Sequence, residues 1–198
     1  MASPEFPQTV DRILTVPNLI TLVRLACLPL FVWLLLSAEN AIAAGGLLGA
    51  LGATDWVDGW YARRFHQVSS FGKIFDPLVD RLLFFVSIVA IIIADAAPLW
   101  FCVAVLVREI VVAVATLGLA AFGARRVDVT WSGKAATFGL MFAFPGFLWA
   151  STPWLLQSSF VVLAWACALP ALVLSYYAAA LYVPIGINAL REGRASRS

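Results

Sequence analysis

Long apolar stretches alternate with short polar breaks along the whole chain. A helix needs about 20 apolar residues to cross a bilayer, and most of these stretches reach that length. The last stretch is longer and contains Pro170 and Pro184, so we expect it to kink or tilt. The pattern predicts an all-α integral membrane protein with six transmembrane helices, at approximately residues 19–37, 41–62, 72–94, 98–122, 135–150 and 155–187.

The composition excludes most other classes of protein. Of 198 residues, 63% are hydrophobic and 12% are charged, which is about half the charged fraction of a soluble domain. A soluble domain of this size cannot bury so much apolar surface in one core, so a soluble enzyme and a disordered chain are excluded. The three cysteines lie far apart in apolar stretches, which indicates neither a disulfide framework nor a thiolate metal site. The net charge of +2 gives no indication of nucleic acid as a partner.

Basic residues mark one side of the predicted helices. They occupy both terminal segments and alternate loops, whereas the remaining loops carry only Glu39 and Asp95. By the positive-inside rule, the basic loops and both termini lie in the cytoplasm. An even number of crossings requires both termini on one side, which agrees with this. The ten basic residues concerned are Arg12, Arg63, Arg64, Lys73, Arg125, Arg126, Lys134, Arg191, Arg194 and Arg197.

Three segments follow from this arrangement. Residues 1–18 form a leader, which is either a short amphipathic helix on the membrane surface or an ordinary polar segment. Residues 19–187 form one six-helix membrane domain, and residues 188–198 form a basic cytoplasmic tail.

Four aspartates lie in or beside the second and third apolar stretches. An ionised aspartate within a spanning helix costs a few kcal/mol, so such residues are by default functional or paired. Asp55 and Asp58 are three residues apart and Asp76 and Asp80 four apart, so each pair shares one helix face. The loop between the two helices is short, which makes them antiparallel neighbours. Small residues on the same faces allow close approach and convergence of the four carboxylates: Gly59, Ala62 and Gly72.

Convergent carboxylates repel one another unless cations are bound between them. Oxygen ligands suit Mg²⁺, Mn²⁺ or Ca²⁺, and four carboxylates suffice for two divalent ions, an arrangement suited to phosphoryl-type chemistry. Arg63, which follows the first pair, is placed to neutralise a phosphate. Two alternatives stay open: carboxylates that are solvated or paired with nearby basic residues, and a divalent metal transporter. Transporters often repeat such helices in both halves, and no second aspartate-rich pair occurs in the last three stretches.

The spacing from Asp55 to Asp80, D-x2-D-G-x2-A-R-x8-G-x3-D-x3-D, resembles the signature of the CDP-alcohol phosphatidyltransferases, with every position matched. Members are integral membrane enzymes, generally homodimers, that make phospholipids from a CDP-linked substrate. The resemblance implies transfer of the phosphatidyl group from CDP-diacylglycerol to the hydroxyl of an alcohol, with release of CMP. It further implies a multi-pass protein of the inner or plasma membrane, in contact with membrane lipids, whose active site lies at the cytoplasmic face and uses two ions of Mg²⁺ or Mn²⁺.

The resemblance also implies a role for each matched residue. Asp55, Asp58 and Asp76 would bind the metal ions, with Asp80 at their edge. Asp80 would also be the general base that deprotonates the acceptor hydroxyl, because an alcohol is a poor nucleophile. Contacts to the CDP-lipid would come from Asn18, Thr21, Gly59, Arg63, Ser69 and Gly72.

The acceptor alcohol is narrowed by three further stretches, residues 16–24, 75–81 and 108–110. They resemble the phosphatidylglycerophosphate synthases and the related cardiolipin synthases, and residues 16–24 and 108–110 favour glycerol 3-phosphate as the acceptor. Ala136 replaces the second lysine of a Gly-Lys-x-Lys-Thr stretch typical of the glycerophosphate enzymes. This departure supports the alternative of a cardiolipin synthase, whose acceptor is phosphatidylglycerol. Arg108 is interpreted either as a contact to an acceptor phosphate or as half of an interhelical ion pair with an aspartate of the site. Lys134 is either a phosphate ligand or a charge that snorkels to the surface.

Overall fold

The structure, a computed structural model, describes residues 16–65, 72–121 and 131–195. This part of the chain is helical and contains no strand, which confirms the predicted all-α class. The helices begin and end within a few residues of the predicted stretches, except at the C-terminal end of the last one. They are α1 (Val16–Leu36), α2 (Ala41–Phe65), α3 (Gly72–Ile93), α4 (Leu99–Ala121), α5 (Trp131–Ala150) and α6 (Gln157–Ala195).

The helix α6 continues into the segment predicted as a basic tail. Residues 188–195 include Ala, Leu, Glu and Arg, which are strong helix formers, so the backbone remains helical to Ala195. Several helices also continue through internal prolines: Pro29 in α1, Pro77 in α3, Pro145 in α5, and Pro170 and Pro184 in α6. Neighbouring helices permit such prolines in membrane proteins, because they help to satisfy the freed backbone groups.

Two of the described helices are long and apolar enough to cross a membrane by themselves, over Leu19–Leu36 and Gln157–Leu181. A shorter apolar stretch covers Ala41–Thr54. Large apolar side chains are exposed along the outer faces of the helices, as at Val114 and Val173, which is the pattern expected of a lipid-facing surface. Membrane association therefore fits the fold, and the number of crossings stays a prediction.

The chain divides into two compact units, residues 1–94 and 95–198. In the first unit, α1 packs against both α2 and α3, and its interior holds Phe31, Ala44 and Ile91, none of which is exposed. The turn into α2 has a polar cap, because Asn40 Oδ1 accepts a hydrogen bond of 3.0 Å from the backbone N–H of Ala43.

In the second unit, α6 packs along α5 and also contacts α4. The close approach depends on small residues: a Cβ placed on Gly139 would lie 2.7 Å from the Cβ of Ala171. Phe101, Phe147 and Trp165 pack together at one end of this unit, with ring centroids 5.2 to 6.3 Å apart. The helix packing of α5 and α6 is therefore set by glycine at one point and by aromatic rings at another.

Candidate active site

Two side chains of α1 bond to two aspartates of α3. Thr21 and Arg24 are three residues apart and share one face of α1, and Asp76 and Asp80 share one face of α3. The Thr21 hydroxyl donates to Asp76 Oδ1 at 2.5 Å. The Arg24 guanidinium donates from Nη1 to Asp80 Oδ1, also at 2.5 Å. Because both pairs advance together along the chain, α1 and α3 run parallel here.

Burial is unequal across these pairs. The α1 partners are almost entirely enclosed, with Thr21 1% and Arg24 3% exposed. The carboxylates are more open: the Asp80 side chain is 42% exposed, and Asp76 is half-buried. Each carboxylate is thus held from the interior by a donor on α1 while it stays accessible to a ligand.

Asp55 and Asp58 both lie within α2, so the helical spacing that places them on one face is confirmed. Their side chains, with those of Gly59 and Arg63, lie outside the described residues, and Ser69 does so altogether. Asn18 and Gly72 lie in the first turns of α1 and α3, and their surroundings are likewise undescribed. Convergence of all four aspartates stays a prediction, and the described side chains alone contain no cluster of three metal-ligating groups.

The carboxylates that are described have the chemistry expected of a divalent metal site. Asp76 and Asp80 present oxygen ligands from one helix face and remain partly exposed. Oxygen donors are those that hard cations such as Mg²⁺ or Mn²⁺ prefer. The residues present therefore fit a divalent cation, with each of the two described carboxylates already oriented by a hydrogen bond.

The structure gives Thr21 a contact that the sequence did not predict. The sequence predicts that Thr21 binds the CDP-lipid, whereas its hydroxyl is buried and donates to Asp76. Thr21 therefore holds the Asp76 carboxylate, and its contact with the nucleotide stays a prediction.

Arg24 is the residue that sequence reasoning missed. In the sequence, Arg24 is notable only as the last residue of the stretch 16–24, and no role is predicted for it. A usable signal was present, because a cation inside an apolar stretch is costly and is by default functional or paired. The basic residues inside the predicted apolar stretches are Arg24, Lys73, Arg81 and Arg108, of which Lys73 lies at the very start of its stretch.

The two predicted acceptor residues lie in the second unit. Arg108 Nη1 donates to Glu109 Oε2 at 2.5 Å, and Nε donates to the backbone carbonyl of Ser175 at 3.2 Å, which ties α4 to α6. Its side chain is 10% exposed. The charged partner described for Arg108 is thus its neighbour Glu109 rather than an aspartate of the signature. Lys134 is exposed in the first turn of α5, which suits either of its predicted roles.

An all-helical fold with the aspartate signature on α2 and α3 defines a class of lipid-synthesising transferase. Residues 14–177 match the CDP-alcohol phosphatidyltransferase family, and the chain belongs to that family. This confirms the resemblance and the predicted enzyme class. Members generally use divalent metal ions, in keeping with the carboxylates of α3, although the match does not identify the ion.

Three relatives with named activities fall into two groups, cardiolipin synthases and a glycerol-3-phosphate phosphatidyltransferase. The chain is 38% identical over 178 residues to the cardiolipin synthase (CMP-forming) of Streptomyces coelicolor, which covers 87% of this chain and 83% of the relative. It is 39% identical over 140 residues to a putative cardiolipin synthase of Mycobacterium tuberculosis, covering 71% and 67%. It is 34% identical over 156 residues to the CDP-diacylglycerol–glycerol-3-phosphate 3-phosphatidyltransferase of Bacillus subtilis, covering 72% and 80%. These relatives act in phospholipid synthesis, and their names match both predicted activities.

Proposed function

We propose that this protein transfers the phosphatidyl group of CDP-diacylglycerol to the hydroxyl of a glycerol-type acceptor and releases CMP. The observation that carries the proposal is the pair of accessible carboxylates on α3, Asp76 and Asp80, each bonded to a buried donor on α1. These carboxylates belong to a signature that matches the family at every position.

The chemistry assigns a separate task to each group. Asp80 accepts the proton of the acceptor hydroxyl, whose oxygen bonds to the phosphatidyl phosphorus while the bond from that phosphorus to CMP breaks. Arg63 neutralises charge on the departing CMP. Two divalent ions, Mg²⁺ or Mn²⁺, would supply charge neutralisation at the pyrophosphate when held by the signature aspartates: Asp55, Asp58 and Asp76, with Asp80 at the edge. Contacts to the CDP-lipid come from Asn18, Gly59, Arg63, Ser69 and Gly72, and Thr21 either adds to them or serves only to hold Asp76.

The proposal includes a topology. Six crossings place both termini and the ten basic residues of the terminal segments and alternate loops in the cytoplasm. The signature lies at that face of the plasma membrane, so the acyl chains of the substrate stay in lipid. The active form is a homodimer, as the family resemblance implies.

Two acceptors are candidates, and phosphatidylglycerol is the better supported. The relatives named as cardiolipin synthases share 38% and 39% identity with the chain, against 34% for the Bacillus relative named for glycerol 3-phosphate. Arg108 adds to this, since two of its N–H groups already bond to Glu109 and Ser175, which leaves fewer donors for a substrate phosphate. Glycerol 3-phosphate is favoured by residues 16–24 and 108–110 and by the exposed Lys134.

One assay decides between these reactions. Purified protein in lipid nanodiscs receives CDP-diacylglycerol, Mn²⁺ or Mg²⁺, and either no acceptor, glycerol 3-phosphate or phosphatidylglycerol, and the lipid products are resolved by mass. Cardiolipin formed with phosphatidylglycerol supports the first candidate, and phosphatidylglycerophosphate supports the second. CMP released without any acceptor indicates a hydrolase instead.

Two controls make the assay specific. Asp80→Asn is expected to lower turnover by a factor of about 10² or more, as for loss of a general base. Uptake of the divalent metal ion into proteoliposomes, without release of CMP, would support the transporter alternative. Absence of CMP under every metal and acceptor would overturn the proposed function.

A further inference from the structure

We propose that Arg24 is a positioning residue, which holds the Asp80 carboxylate in the orientation needed for phosphatidyl transfer. The inference rests on the proposed function, because it assumes that Asp80 acts on the acceptor. It concerns a side chain of α1 that acts through an aspartate of α3, 56 residues away in sequence.

The burial of the ion pair shows which partner depends on the other. Arg24 is 3% exposed in an otherwise apolar helix, where an unpaired guanidinium is strongly disfavoured. Asp80 is 42% exposed and needs no internal partner to be solvated. A buried cation paired with an accessible anion restricts the anion, because the guanidinium is fixed by packing and its donors point in set directions.

The neighbouring pair follows the same design. Thr21 lies one turn before Arg24 and donates to Asp76, so α1 supplies a buried donor to each of two successive carboxylates on α3. A step of three residues on α1 rises about 4.5 Å and a step of four on α3 about 6 Å, and parallel helices keep the two rows in register. The pairing therefore involves a face of α1 rather than one isolated contact.

Orientation matters for the chemistry assigned to Asp80. A general base must lie within hydrogen-bond reach of the hydroxyl that it deprotonates, and small misplacements of catalytic groups cost large factors in rate. Loss of Arg24 leaves Asp80 present and accessible but removes the buried guanidinium that restricts its orientation. We therefore expect the turnover number to fall while CDP-lipid binding, which relies on other residues, is largely retained.

The kinetic test uses Arg24→Gln, Arg24→Lys, Asp80→Asn and the double variant Arg24→Gln with Asp80→Asn. Arg24→Gln is expected to lower kcat about 10- to 100-fold, as for other residues that orient a ligand or base, with the KM for CDP-diacylglycerol within about threefold. Arg24→Lys is expected to recover part of kcat, since it keeps the charge and loses the planar fork. Adding Arg24→Gln to Asp80→Asn is expected to change kcat by less than about twofold, because both act through one carboxylate.

Arg81→Gln is the matched control. Arg81 follows Asp80 on α3 and is exposed, so its replacement removes the same charge without touching the buried pair. We expect its kcat to stay within about threefold of the unmodified protein. Equal losses in Arg81→Gln and Arg24→Gln would show that net charge, rather than positioning, sets the rate, and would overturn the proposal.

A second readout does not depend on activity. Thermal unfolding in chelator, measured for the same single and double variants, forms a cycle that reports the coupling of Arg24 to Asp80. If the unmodified protein transfers nothing to any acceptor, the proposed function fails, while coupled unfolding still supports the ion pair itself.

Two results would overturn the positioning role: a folded Arg24→Gln protein with unchanged kcat, or losses that multiply in the double variant. Should Arg24→Gln not fold, Arg24→Lys decides between the outcomes. Lowered kcat with unchanged KM supports the proposal, and unchanged kcat overturns it.

Discussion

Replacing Thr21 by valine tests how the α3 carboxylates are held for metal binding. Valine keeps the branched shape of threonine and removes only the hydroxyl that donates to Asp76 at 2.5 Å. Because Thr21 is 1% exposed, water has little access to replace the missing donor from the α1 side. The perturbation therefore removes the hydrogen bond to Asp76 with little change in packing.

The magnitude follows from the charge and burial of the partners. A hydrogen bond to a charged group contributes about 1.5–3 kcal/mol, and the half-buried Asp76 recovers part of this from its surroundings. A remaining loss of about 1.4 kcal/mol corresponds to a tenfold change in an equilibrium constant. We expect the half-saturating Mn²⁺ concentration to rise about tenfold, which lies at the lower end of the range for residues that orient metal ligands.

The assay is CMP release from CDP-diacylglycerol as a function of Mn²⁺, with Mn²⁺ binding measured separately by electron paramagnetic resonance. Thr152→Val is the matched control, because Thr152 lies in the connection between α5 and α6. The alternative prediction, that Thr21 contacts the nucleotide, gives a different result. If Thr21 contacts the nucleotide, Thr21→Val is expected to raise the KM for CDP-diacylglycerol at saturating metal and to leave the metal requirement unchanged.

A folded Thr21→Val protein with the Mn²⁺ requirement of the unmodified protein would refute the reasoning. It would mean that Asp76 is not a metal ligand, or that its orientation does not depend on α1.

Three further predictions concern helix packing, the metal and the acceptor. Gly139→Ala places a Cβ 2.7 Å from that of Ala171, so overpacking of about 1–3 kcal/mol is expected to lower the unfolding temperature. Gly118→Ala is the control, because nothing lies within 4 Å of a Cβ placed there. It is expected to leave the stability unchanged or to raise it by up to about 1 kcal/mol. Equal losses of stability in the two variants would contradict the packing argument. Chelator is expected to abolish CMP release, Mg²⁺ or Mn²⁺ to restore it, and Asp58→Asn to weaken Mn²⁺ binding; full turnover in excess chelator would exclude a metal requirement. Lys134→Ala is expected to raise the KM for glycerol 3-phosphate sharply if that is the acceptor, and to have little effect on cardiolipin formation from phosphatidylglycerol.

The sequence by itself determined the described helices and which aspartates share a helix face. Apolar stretches of spanning length are a local property of the chain, so the six helices of the described residues and most of their ends were predictable from it. Within a helix, spacing alone decides which residues share a face. The pairing of Asp55 with Asp58 on α2, and of Asp76 with Asp80 on α3, therefore required only that these segments be helical.

Only the tertiary structure decided what lies behind those aspartates. Thr21 and Asp76 are 55 residues apart, and Arg24 and Asp80 are 56 apart, so no local rule brings them together. An apolar helix carries little pattern to indicate which face meets a neighbour, and the pairing depends on how α1 packs against α3. The same reason explains Arg108, whose contact with the carbonyl of Ser175 follows from the packing of α4 against α6 rather than from any spacing in the chain.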